Sequence, residues 1–319
     1  RRRVLRHGRE HTMSYLILPA VARAGFVPPC QARQPRRAGR FAETRKVRAL
    51  RGVFRMLCKV APAVAAHIGY AMLAKPPASA ENTWQAALRD KALTWRLGVG
   101  AGQIAVYEWG AGPAILLVHG WGSRATHMGK LVGPLVAAGF RVVAFDAPAH
   151  GASTGGSTDL VEFASAVAAV ARQVGPLRCV LAHSFGASMS LYAQRDWGLA
   201  TDKLVLISSF EHCVWFTEAF GECMGLSSSV LEEVRQKLVE RHCGRLNWSR
   251  LSVLDMLRDS QGQALVIHDE DDAEIPFEHG LALARVSPRT EFLATRGYGH
   301  HRVLRRNDVI RRIVQFISA

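Results

Sequence analysis

The 319-residue sequence predicts an α/β protein, a mostly parallel sheet flanked by helices with a helical insertion between two late strands. Three observations predict it. Beyond residue 100, short apolar runs rich in branched residues alternate with helix-length segments, as a parallel sheet covered on both faces requires. The stretch Glu211 to Gln263 breaks that alternation with helical periodicity and no convincing strand. The composition, 49% apolar and 21% charged, suits a globular core, and the length suits one principal domain with an accessory element.

The elements follow in chain order. Residues 1–59 hold 16 Lys and Arg against Glu10 and Glu43, leaving 25 basic and 24 acidic residues over the other 260, so the net charge of +15 belongs to an N-terminal arm. The clusters Arg1-Arg2-Arg3 and Arg36-Arg37 lack interleaved aromatic residues, and no specific nucleic-acid partner is expected. Peripheral contact with an anionic membrane is the other partner class such an arm allows, and it ranks as the lesser expectation. Met13 to Ala22, followed by Ala22-Arg23-Ala24, imitates a signal peptide, but Pro19 and the shortness of the run argue against export, so a cytoplasmic location is expected. The chain opens on Arg, with Met13 and Met56 as the next candidate starts, and residues 1–55 are expected to be a disordered or partly non-native arm.

Residues 56–94 read as an N-terminal helical segment. Met56 to Ala74 is its longest apolar stretch; Lys59, Pro62 and His67 interrupt it, so it suits a helix lying on the surface or core rather than a membrane span. Lys75-Pro76-Pro77 ends it. A principal domain over 95–319 then opens with a hairpin, Leu93–Leu97 and Ile104–Trp109 joined through Gly98 to Gly102. Strand-like runs follow at Ala114–Val118, Arg141–Phe145, Arg178–Ala182, Lys203–Ile207, Ala264–Ile267 and Thr290–Ala294. Helical stretches near His127–Ala138, at Asp159–Gln173 and from Phe185 separate the first four. In the insertion, Val230, Val234 and Leu238 mark a helix, with Glu232 and Glu233 opposite Arg235 and Lys237; a helical lid is expected at about residues 211–262.

Four segments carry chemistry, each at the end of a strand. Ser184, in Ala182-His183-Ser184-Phe185-Gly186, sits between a strand-like and a helix-like run. A sharp turn there would raise its hydroxyl above the sheet, and the helix N-terminus behind it would favour an oxyanion; helix capping is the ordinary alternative. His119-Gly120-Trp121-Gly122 follows the first central strand and offers the Trp121 N–H as partner to that of Phe185 in an oxyanion hole, or is merely a glycine-rich turn. His268-Asp269-Glu270-Asp271-Asp272-Ala273-Glu274-Ile275-Pro276 supplies the acid. Asp272 is the first choice, Asp271 the second and Glu211 a distant third. Gly297-Tyr298-Gly299-His300-His301 supplies the base, His300 being preferred, and completes the chain order Ser, Asp, His.

From about residue 95 onward the chain resembles the α/β-hydrolase superfamily. HGWG at 119–122, FDAPAHGAS at 145–153, AHSFGA at 182–187, HDEDDAEIP at 268–276 and GYGHHRVLR at 297–305 fall in family order. The resemblance implies an eight-stranded, mostly parallel sheet and a serine nucleophile of esterase or lipase type. It implies the roles already given to Ser184, Asp272, His300, Trp121 and Phe185, and it makes Asp146, His150 and Gly151 framework beside the site. Ala182 and Ala149 stand where the family often has Gly.

The expected activity is hydrolysis of a carboxylic ester or thioester through an acyl-enzyme on Ser184. The same triad serves an acyltransferase or a carbon–carbon bond hydrolase, and a non-catalytic small-molecule-binding protein is the alternative of another class. A serine at this position argues against a haloalkane dehalogenase, which uses an aspartate. No cofactor is implied. Cys30, Cys58, Cys179, Cys213, Cys223 and Cys243 are widely spaced, so reduced thiols are expected, and His212-Cys213 and His242-Cys243 lack the spacing of metal ligands. Trp215, Phe216, Phe220, Met224 and Trp248 would suit an acyl chain or aromatic ester, or simply pack the insertion onto the body.

Overall fold

The computed structural model describes residues 45–319. The run Met13–Ala22, Cys30 and most of the basic arm lie outside the described residues. Helix α1 (Arg45–Val60) already occupies 45–55, which the sequence assigns to a disordered arm. It forms because Leu50, Phe54, Leu57 and Cys58 recur at helical spacing and pack into the core, Phe54 completely. The single helix expected over Met56–Ala74 is instead the end of α1 and all of α2 (Pro62–Leu73). They part at Ala61 because Pro62 fits only the first turn of a helix. Helix α3 (Thr83–Arg89) begins on a reciprocal cap between Asn82 and Gln85.

Eight strands form one sheet: β1 (Leu93–Val99), β2 (Gly102–Trp109), β3 (Ala114–Val118), β4 (Arg141–Asp146), β5 (Leu177–His183), β6 (Thr201–Ile207), β7 (Gln263–Asp269) and β8 (Thr290–Thr295), in spatial order β1-β2-β4-β3-β5-β6-β7-β8. The opening hairpin pairs antiparallel, β2 runs antiparallel to β4, and all later neighbours are parallel. Strands β3 and β5 are buried almost throughout, which explains their unbroken apolar runs.

The helices between strands are α4 (Val132–Ala137), which continues a 3-10 turn from Ala125, α5 (Leu160–Val174) and α6 (Phe185–Trp197). The insertion supplies α7 (Cys213–Met224), α8 (Ser228–Arg241) and α9 (Val253–Asp259), and the chain ends with α10 (Phe277–Ala284), α11 (Gly299–Arg302) and α12 (Asn307–Ser318). Residues of α5 and α6 build the core on one face of the sheet, and residues of α4 and α12 build the other. No helix among the described residues is long and apolar enough to cross a membrane.

In α8, Val230, Val234 and Leu238 are buried. Its charges pair along the surface, Glu232 with Arg235 and Glu233 with Lys237, instead of standing on opposite sides. Helices α1 and α2 lie against the insertion: Arg51 Nε donates to the Cys223 carbonyl (3.0 Å), and a Cβ at Gly69 would touch Leu226 and Val234. The boundary expected at 94/95 therefore separates no module, and β1 starts at Leu93, before it.

Candidate active site

Consecutive strands leave β3 in opposite directions, β4 to one side and β5 to the other, so a crevice opens beyond the carboxyl ends of β3 and β5. Ser184 stands there, immediately after β5. Its backbone has φ 55° and ψ −127°, a conformation a non-glycine residue holds only under constraint from its surroundings. The constraint is visible. The Ser184 N–H donates to the Ile207 carbonyl (2.8 Å), and the next residue starts α6. A Cβ at Gly186 would lie 2.2 Å from the His119 carbonyl oxygen, and one at Gly120 would lie 3.0 Å from Ser184 Cβ, so only glycine lets the turn, α6 and the end of β3 meet this closely.

The three residues expected to act together are joined by hydrogen bonds. His300 Nε2 is 3.0 Å from Ser184 Oγ, and His300 Nδ1 is 2.8 Å from Asp272 Oδ2. The other Asp272 oxygen accepts the N–H groups of Glu274 and Ile275, each at 2.9 Å. Burial alone would raise the Asp272 pKa. The bond from His300 and the two backbone donors outweigh it and hold the carboxyl well below the usual carboxylate range. With Asp272 ionised, the His300 proton sits on Nδ1 and Nε2 is free to accept from the serine hydroxyl. The alternatives do other things. Asp271 accepts the Gly297 N–H (3.2 Å), and Glu211 lies 3.8 Å from His279.

The turn 119–122 is held by two histidines. His119 Nε2 accepts the Ala147 N–H (3.0 Å) while its Nδ1 donates to the Gly120 carbonyl (2.7 Å); His150 Nε2 accepts the Gly122 N–H (3.0 Å) while its Nδ1 donates to the Pro148 carbonyl (2.9 Å). Each ring needs one bare nitrogen, and burial lowers both pKa values accordingly. The Trp121 and Phe185 rings meet at 5.1 Å. Phe185 opens α6, so its N–H has no helical acceptor.

Asp146 anchors the loop behind this turn, accepting from Tyr107 Oη (3.0 Å) and from the N–H groups of Ala125 and Ala152 (2.8 Å each). A side chain at Gly151 would collide with it. Ala149 adopts φ 61° without being glycine, and Ala182 is fully buried in β5.

Residues 115–235 match the model of the alpha/beta hydrolase family. The match runs from β3 into α8, and the eight-stranded sheet has the α/β-hydrolase fold. A human serine hydrolase-like protein is 31% identical over 121 residues, 36% of this chain and 59% of its own. A non-heme haloperoxidase of Rhodococcus erythropolis is 32% identical over 142 residues, 43% of this chain and 51% of its own. The chain thus spans little more than half the length of these curated relatives. Among solved structures, an esterase of Pyrococcus furiosus superposes with a TM-score of 0.59 at 19% identity, over 76% of this chain and 98% of that one, a likeness of fold.

Sequence reasoning missed two residues that hold the loops of the site. Asp269, fully buried at the end of β7, accepts from the N–H groups of Asp271 (3.0 Å), Tyr298 (3.1 Å) and Gly299 (2.9 Å) and from Thr295 Oγ1 (2.7 Å). It ties together the loops that carry Asp272 and His300. Burial would raise its pKa, but these four donors keep it depressed. His183, also buried, donates from Nε2 to the His300 carbonyl (2.9 Å). Its place before the serine was visible in the sequence; its partner 117 residues away was not.

Ligand atoms of His183, His300 and His301 lie within 4.8 Å of one another, the only such group of potential metal ligands among the described residues. His183 and His300 are already engaged in the bonds above. His301 pairs with Glu274 (2.9 Å), a bond that raises its pKa. His242, one of the His-Cys pairs, bonds Asp159 (2.8 Å).

Helix α7 of the insertion reaches the crevice through Phe216, whose ring is 4.6 Å from Phe185 and 5.5 Å from Trp121. Trp215 instead packs on Phe210 and His279, Met224 is buried, and Trp248 lies beneath Arg235. The cavity beside Trp121 and Phe216, which also touches Leu73 of α2 and Leu238 of α8, measures only 10 Å³, about the room one water needs. A larger cavity of 330 Å³ lies at the opposite margin, between β8 and α12, away from Ser184.

Proposed function

We propose that this protein is a serine hydrolase that cleaves a carboxylic ester or thioester through an acyl-enzyme on Ser184. The hydrogen-bonded line Asp272–His300–Ser184 carries the reading. Ser184 Oγ attacks the acyl carbonyl carbon while His300 Nε2 takes the hydroxyl proton, and Asp272 stabilises the imidazolium that forms. The Trp121 and Phe185 N–H groups receive the developing oxyanion, a role in which each donor contributes about 3 kcal/mol. His300 then protonates the leaving alkoxide or thiolate. Water, deprotonated by the same nitrogen, releases the acid and restores the serine.

The apolar rings of Trp121, Phe185 and Phe216 support an apolar acyl group. The packing of Phe216 on Phe185 and Trp121 supports α7 as part of a lid over that acyl group.

Burst and steady-state hydrolysis of p-nitrophenyl esters from acetate to laurate tests this. Ser184→Ala or His300→Ala should each lower kcat by about 10⁴-fold or more, and the double variant should be little worse than either. A wild type inert toward every ester, with Ser184 unlabelled by a fluorophosphonate, overturns the reading in favour of a binding protein.

A further inference from the structure

Helices α1 and α2 bury one side against the insertion and leave the other bare. Of the seven large apolar residues exposed among the described residues, five lie here: Val53 (49%), Met56 (58%), Val60 (71%), Val64 (49%) and Ile68 (37%). Their spacings of three and four put Val53, Met56 and Val60 on one side of α1, and Val64 and Ile68 on one side of α2. At 100° per residue, exposed Arg45, Arg48, Arg55 and Lys59 fall along one flank of the α1 stripe, between it and the buried side. The remaining outward residues of α2 are Pro62, Ala63, His67 and Ala71, with Lys75 just beyond its end. No acid occurs between Glu43 and Glu81, while seven Lys and Arg do.

An apolar stripe bordered by cations and free of acids complements one kind of surface, an anionic lipid interface. Val, Met and Ile side chains enter the acyl boundary while Arg and Lys reach phosphate headgroups. We propose that the outer face of α1–α2 docks on anionic membranes. A nucleic acid would be drawn by the charge but would leave the stripe in water, and neither helix is long enough to span. The proposal does not depend on the hydrolase reading.

The test is sedimentation of the full chain with phosphatidylcholine vesicles, with and without phosphatidylserine, at low and high salt. Binding is expected only with phosphatidylserine, and weaker at high salt. Met56→Asp with Val60→Asp should lower the binding constant at least about tenfold, and so should Arg48→Glu with Lys59→Glu. All four sites are exposed, so the melting temperature should not change. Three results would overturn the proposal. One is no binding to anionic vesicles. Another is binding that both pairs of substitutions leave intact but removal of residues 1–44 abolishes. The third is a concentration-dependent dimer that Met56→Asp with Val60→Asp dissociates, without any vesicle binding.

Discussion

Asp269 is buried at the end of β7 with four hydrogen bonds converging on its carboxylate, three from backbone N–H groups and one from Thr295. Asparagine in its place keeps the shape but turns an amide N–H₂ toward donors, leaving at least one buried N–H unpaired. Asp269→Asn should therefore cost about 2 kcal/mol or more in urea unfolding. Because the loop it holds carries His300, kcat should fall with KM little altered, as expected when positioning rather than binding is lost. Fluorophosphonate labelling of Ser184 should slow in parallel. A loss of stability with unchanged kcat would make Asp269 a purely structural anchor. The acidic run containing Asp269 reads in sequence as a solvated loop with one useful carboxylate. It contains two buried ones, because the strand end draws Asp269 in and the following turn draws in Asp272.

At the scale of the element, α6 and α7 bring Phe185 and Phe216 together beside the serine's turn. Helix α6 can approach β3 only because Gly186 has no side chain, and its first N–H has no acceptor within the helix. Helix α7 packs Phe216 against Phe185 and Trp121 beside that turn. Phe216→Ala should raise kcat/KM for the longer p-nitrophenyl esters relative to acetate by about tenfold or more, since removing a phenyl ring opens more apolar space than the single methylene that is worth about tenfold. A uniform loss across chain lengths would instead mean that Phe216 holds α7 in place. The helical period of α8 was legible from Val230, Val234 and Leu238. The break between α1 and α2 was legible at Pro62 only to a reader who allowed the proline to start a helix rather than interrupt one.

For the whole molecule, acid is the informative stress. Asp269 and Asp272 both have pKa values depressed in the folded state, so the unfolded chain binds protons more readily than the folded one below about pH 5. The stability they contribute is complete above the unfolded carboxyl value of about 4 and is lost progressively as pH falls through the folded values. Urea midpoints should therefore fall from pH 5 to pH 3, less steeply in Asp269→Asn, and a flat profile would contradict the buried, ionised pair. The thiols contribute differently. Cys58, Cys179, Cys213, Cys223 and Cys243 are all free, and burial raises the Cys179 and Cys213 pKa values, the latter to about 12, keeping both unreactive. Melting curves with and without reductant should superimpose; a shift of several degrees would reveal a structural disulfide.

The sequence by itself determined the alternation of strands and helices, the antiparallel opening, the insertion, the residues Ser184 and His300, and the acidic run that follows β7, because strand period, turn glycines and motif order are local properties of a chain. Tertiary structure alone decided the rest. It chose Asp272 over Asp271, since that depends on which carboxylate faces a histidine 28 residues away. It also gave His183 and Asp269 their partners, made residues 45–55 a helix by supplying α7 for it to cover, and put the α1–α2 stripe on the outside. Which side of an amphipathic helix is buried is settled by what it packs against, and that partner is distant in sequence.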